Sequence, residues 1–103
     1  MYKLSIFIPE SHLEQVKTAL FKAGAGKIGN YDCCSWQTPG QGQFRPLENS
    51  RPFSGKPGQI NTVDEYKLEV VIADHRVKDV ITAMKQAHPY EEPAYDCWQL
   101  AEI

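Results

Sequence analysis

The segment HPYEEPA, residues 88–94, places an imidazole, a phenol and two carboxylates close together between two prolines. His88, Glu91 and Glu92 form a donor set of the kind that holds a borderline divalent cation such as Zn²⁺, Cu²⁺ or Co²⁺, and an imidazole beside carboxylates can also move protons. Pro89 and Pro93 fix φ at two points and hold these groups in a stiff frame. The same residues have a purely structural use, because a cation at a helix C-terminus is favoured by the dipole. Capping, metal or ligand contact, and acid–base work all stay open for His88 at this level. No catalytic residue is assigned, since no nucleophile, base and orienting partner stand at a recognisable spacing.

The elements that position this segment follow from a repeat. Sliding the chain by 64 residues aligns 2–34 with 66–98 without a gap and gives eleven identities in 33 positions, among them Tyr2-Lys3-Leu4 with Tyr66-Lys67-Leu68 and Tyr31-Asp32-Cys33 with Tyr95-Asp96-Cys97. Each copy opens on an alternating run, with Leu4, Ile6 and Ile8 or Leu68, Val70 and Ile72 on one face, which predicts a strand. Lys3, Ser5 and Phe7, beside Lys67, Glu69 and Val71, are expected on the opposite face, a mixed surface suited to packing against another subunit. A helix follows in each. Ser11 to Glu14 reads as a capping box, with Leu13, Val16, Leu20 and Ala23 as the apolar stripe and Gly24 as a left-handed stop. In the second copy the stripe is Val77, Val80, Ile81, Met84 and Ala87, and Pro89 ends it.

Each copy is expected to close on a strand, Tyr31–Trp36 and Tyr95–Leu100, whose aromatic content suits a sheet. The result is one domain over 1–103, an α+β, ferredoxin-like βαββαβ sandwich with a four-stranded antiparallel sheet and two helices on one face. Strands one and three take the centre. The two YDC segments are expected at opposite edges, about 14 Å apart, too far for a disulfide between Cys33 and Cys97, which needs Cα atoms within about 7 Å. Adjacent Cys33 and Cys34 would point to opposite faces of a strand, so the three cysteines read as small hydrophobes.

Composition excludes several classes. A net charge of −2 provides no basic field for a phosphate backbone, so no nucleic-acid partner is expected. The apolar start is short and carries Lys3, which speaks against a signal peptide or a membrane span, and three free thiols suit a cytoplasmic setting. Between the copies, 37–62 is rich in glycine, proline and polar residues and reads as one long functional loop, with Phe44 and Phe53 as anchors.

Four segments in order, GAGKIGNYDCCSW, GQGQFRPLENSRPFSGKPG, VDEYKLEVVI and HPYEEPAYD, resemble the YqfO-type domain of the Nif-three-like proteins over nearly the whole chain. Larger members carry this domain beside a core that binds two metal ions. No residue here matches that core, so the resemblance transfers neither its metal site nor the cyclohydrolase activity attached to the family. The HPYEEP turn is also similar to the corresponding turn of CutA, a small divalent-ion tolerance protein of the same fold. CutA and the signalling protein PII assemble as trimers, with long loops around clefts between subunits. The resemblance implies a homo-oligomer, trimeric or dimeric, with a ligand cleft between 39–58 and 88–93. Its ligand-binding residues would be Tyr90, Phe44, Gly40 and Gly42, and its metal ligands His88, Glu91 and Glu92. The function implied is a non-enzymatic binding module for a small ligand or divalent metal. The alternative is a docking domain for a separate protein; an autonomous metal-dependent hydrolase has less behind it.

Overall fold

A computed structural model describes all residues, 1–103. Strand β1 (Tyr2–Pro9) is followed by helix α1 (Leu13–Lys22), strands β2 (Trp36–Phe44) and β3 (Asn61–Ile72), helix α2 (Val77–Ala87) and strand β4 (Tyr95–Gln99). The sheet runs in the order β2-β3-β1-β4, and all its pairings are antiparallel. This is the α+β ferredoxin-like arrangement expected, with β1 and β3 at the centre.

The alternating pattern does what its period requires. Leu4, Ile6, Ile8, Leu68, Val70 and Ile72 are buried together with Leu13, Val16, Leu20, Val80 and Met84, which α1 and α2 bring onto the same sheet face. Gly24 ends the first helix in a left-handed conformation, φ +111°, and α2 stops at Ala87, two residues before Pro89. The helix starts differ from expectation. Residues 10–12 form a 3₁₀ turn, so α1 begins at Leu13 and Ser11 falls outside the capping position. Its hydroxyl instead meets His12 Nδ1 at 2.8 Å, and no side chain caps either helix.

The larger correction concerns the first YDC segment. Under the repeat, Leu68 would face Cys33 as Leu4 faces Cys97; in the structure Leu68 faces Gln37, four residues later. Tyr31 closes a turn by pairing with Ile28, Asp32 and Cys33 follow it outside any strand, and Cys33 adopts φ +54° and is exposed. An even slip keeps every side chain on its intended face, which is why the fold tolerates it. The edge strand is thus built from residues expected in the loop, including Pro39, Gly40 and Gly42. Proline is tolerated at a sheet edge, and pairing to the twelve-residue β3 overrides the weak strand preference of glycine. The connection shrinks to 45–60. Cys33 and Cys34 therefore lie outside any strand, ahead of β2, while Cys97 stays on the edge strand β4, and all three thiols are free.

On the outer sheet face the register sets Trp36 opposite Glu69 and Trp98 opposite Lys3, and both indoles are exposed. Ser5, on the face expected to pack against another subunit, is already buried within the single chain, and its Oγ meets no hydrogen-bond partner.

The slip has a local cause in Gly26. Its N–H donates to the Val71 carbonyl at 2.8 Å and its carbonyl accepts from the Cys34 N–H at 2.9 Å, pinning the turn to the sheet before β2 begins. At φ +82°, an added Cβ would stand 2.8 Å from the Cys34 carbonyl oxygen. Gly26→Ala is expected to lower stability by about 1–3 kcal/mol in chemical denaturation, whereas Gly29→Ala, with open space around its Cβ, pays only the cost of its positive φ.

Candidate functional site

Residues 88–94 leave α2 in an extended conformation, with His88 at φ −73° and ψ 137°. Proline at 89 disfavours helix in the residue before it and so forces this exit. The His88 ring turns inward and is almost wholly buried. Its Nε2 lies 2.8 Å from the Phe7 carbonyl oxygen at the end of β1, and its Nδ1 lies 3.2 Å from the Tyr90 backbone nitrogen. A carbonyl can only accept and a backbone N–H can only donate, so the ring carries its proton on Nε2 and offers its Nδ1 lone pair to Tyr90. Burial pushes the His88 pKa below its ordinary value, outweighing the opposing effect of the Phe7 hydrogen bond. The imidazole is a neutral structural link with both nitrogens in use.

This arrangement decides the metal expectation for His88. A coordinating imidazole must present a free nitrogen lone pair, and neither nitrogen has one to give without breaking a buried hydrogen bond. Glu91 is engaged elsewhere: the Arg51 N–H donates to its Oε1 at 3.2 Å and its Oε2 at 2.9 Å, which ties the 45–60 connection to the 88–94 turn. Glu92 is exposed. No three His, Cys, Asp or Glu side chains gather as a ligand set. The residues present do not fit a divalent ion at this turn.

What the turn builds is a cleft of about 410 Å³ between 43–54 and 90–94. Phe44 and Tyr90 line it with Leu47, Pro46, Pro52 and Phe53, and Glu65, Glu91, Glu92 and Arg45 are its charged residues. One chain by itself supplies all of these lining residues. Aromatic rings run from one side to the other: His12 meets Phe53 edge-on at 5.4 Å, Phe53 lies 6.1 Å from Tyr90, and Tyr90 lies 4.8 Å from His88. The Tyr90 hydroxyl donates to Glu65 Oε2 at 3.0 Å. Burial and the Glu65 carboxylate push the Tyr90 phenol well above its usual range, so it remains a donor. Gly40 and Gly42 do not line the cleft, contrary to expectation. Gly42 acts one step away: Glu65 Oε1 lies 2.0 Å from where its Cβ would stand, so a side chain there would push the carboxylate out of its present position. Glu65 is the residue that sequence reasoning missed, because its place depends on the β2–β3 register, which sets it opposite Gly40.

No protein-family model matches the chain. A protein of Halalkalibacterium halodurans named GTP cyclohydrolase 1 type 2 homolog is 46% identical over 101 residues, covering 98% of this chain and 27% of the relative. The crystal structure of a Bacillus cereus protein related to NIF3 superposes with a TM-score of 0.84 at 42% identity, over 98% of this chain and 26% of that one. Over nearly its whole length the chain is similar to one segment of longer NIF3-related proteins. It spans about a quarter of the length of the curated relatives it matches. The divalent cation tolerance protein Cut A1 from Thermus thermophilus superposes over 99% of this chain and 86% of its own, with a TM-score of 0.69 at 22% identity, a likeness of fold alone.

In this chain the His88 link should be read in stability before anything else. His88→Ala leaves the Phe7 carbonyl buried without its partner and opens a void, and is expected to cost about 2–4 kcal/mol in urea unfolding. Because the folded-state pKa lies below the unfolded value of 6.5, the unfolded chain binds the extra proton. The contribution is complete above pH 6.5 and is lost as the pH falls from there through the folded-state value. Unfolding free energy measured across pH 5–7.5 should fall on the acid side, with a shallower slope in His88→Ala.

Proposed function

We propose that this chain is a non-enzymatic, oligomeric module that binds a small molecule in the cleft between 43–54 and 90–94. The observation that carries this reading is a concave site with aromatic walls, prepared within the chain by a stiff proline-framed turn and by the Glu91–Arg51 tie that joins this turn to the 45–60 connection. A volume of this order, largely apolar with a few fixed polar groups, is what small-molecule sites have in common. The lining serines are not paired with a base, the Ser50 hydroxyl donating to the Leu47 carbonyl, so binding rather than turnover is the chemistry its side chains support. The structural neighbours named as divalent cation tolerance proteins keep cations in view. The His88 hydrogen bonds argue against an ion held by that imidazole.

Self-association belongs to the same reading. The outer sheet face carries Trp36, Trp98, Phe7 and Val71 around the buried, unpartnered Ser5 hydroxyl, a surface that a further copy of the chain would cover. The free thiols suit a cytoplasmic setting, and no helix is long and apolar enough to cross a membrane.

A ligand-observed NMR screen of a small fragment library tests the cleft. Hits are expected to be lost in Phe53→Ala and retained in Tyr31→Ala, which removes an exposed aromatic that does not line the cleft. Hits that survive Phe53→Ala, or the absence of hits, would overturn the binding reading. Light scattering is expected to give a mass several times that of one chain, reduced by Trp98→Glu; a strict monomer would refute self-association.

A further inference from the structure

The charge of the cleft, and where that charge is held, narrows what it can take. Glu65, Glu91 and Glu92 face one cationic lining residue, Arg45. No ion pair neutralises any of the three: the chain's salt bridges involve Asp74, Glu69, Glu14 and Asp79 instead. Arg51 approaches Glu91 only through its backbone N–H. The carboxylates also differ in readiness. Glu65 is half-buried and held in one orientation by the Tyr90 hydroxyl on Oε2, while Oε1 rests over Gly42 with acceptor capacity unspent. Both oxygens of Glu91 already receive a proton donor. Glu65 is therefore the preorganised anionic group, beside the face-bearing rings of Phe53 and Tyr90.

Resting on the reading of this cleft as a small-molecule site, we propose that its ligand is a small organic cation, an amine or guanidinium carried on an apolar or aromatic body. The cationic end meets the Glu65 carboxylate and the ring faces, which attract positive charge through their quadrupoles. The body replaces water against Phe44, Phe53 and Leu47. An anionic ligand such as a nucleotide phosphate meets the opposite: two net negative charges among the lining residues, and one guanidinium to answer them. A bare metal ion is disfavoured by the scattered donors, whereas an amine needs one fixed carboxylate and an aromatic wall.

The test uses three probes of one size and different charge: phenethylamine, phenethyl alcohol and phenylacetate. Each is titrated to millimolar concentration into the full chain while ring and methyl resonances of Phe44, Phe53, Tyr90 and Leu47 are followed by NMR. Phenethylamine is expected to shift these resonances saturably and more tightly than the other two, with weaker binding at raised salt. Its affinity should fall about fivefold or more in Glu65→Gln, which keeps an acceptor for Tyr90 but removes the charge. If the alcohol or phenylacetate binds as well as the amine, or Glu65→Gln is without effect, the cleft binds ligands but the cation assignment is wrong. If none of the three shifts the cleft resonances, the cation assignment falls here, and the fragment screen decides separately whether the binding reading survives.

Discussion

One buried hydrogen bond, from His88 Nε2 to the Phe7 carbonyl, fixes the geometry on which the cleft depends. Prolines at 89 and 93 strip the turn of two backbone donors, so the segment cannot secure itself to the sheet by main-chain bonds alone. The imidazole supplies one missing donor, and through Nδ1 it also receives the Tyr90 N–H. Further along, the Phe7 N–H reaches the Ala94 carbonyl at 3.2 Å and leads the chain into β4. Between those two anchors, Tyr90, Glu91 and Glu92 have little freedom to be anywhere but at the cleft.

The repeat shows how this arose in physical terms. Shifted by 64 residues, Phe7 corresponds to Val71, and the Val71 carbonyl likewise accepts a hydrogen bond from the turn after the other copy's helix. There the donor is the backbone N–H of Gly26, a residue whose left-handed conformation brings the main chain close enough to do it. Two copies of one strand end thus satisfy the same carbonyl by different means. The glycine solution gives a tight turn and a strand that begins four residues late; the histidine solution holds the turn at side-chain length and leaves space beside it. The cleft occupies the side of the molecule where the longer link was used.

Much of the scaffold could be read from the residues because alternation and helical stripes are dictated by burial. Leu4, Ile6 and Ile8, with their counterparts Leu68, Val70 and Ile72, fall where the period of two puts them. The start of β2 could not be read, because Tyr31-Asp32-Cys33 copies a real strand in letters while Gly26 and the left-handed Cys33 decide its backbone. The aromatic walls at Phe44 and Tyr90 were legible from the motifs that carry them. His88 was legible as important and ambiguous in role, since only the position of the Phe7 carbonyl separates a ligand from a link. Glu65 was invisible, because a carboxylate in an alternating strand becomes a site residue only through the register of the neighbouring strand, which here sets it beside Gly40 and Gly42.

The state of the His88 ring tests this account most directly. Nitrogen-15 NMR of the imidazole should show the neutral form protonated at Nε2, with a through-bond coupling to the Phe7 carbonyl and a pKa below 6.5, unchanged when Zn²⁺ is added at neutral pH. A ring protonated at Nδ1, or one whose Nε2 or Nδ1 resonance moves on binding Zn²⁺, would contradict the structural link and return His88 to the role of a metal ligand.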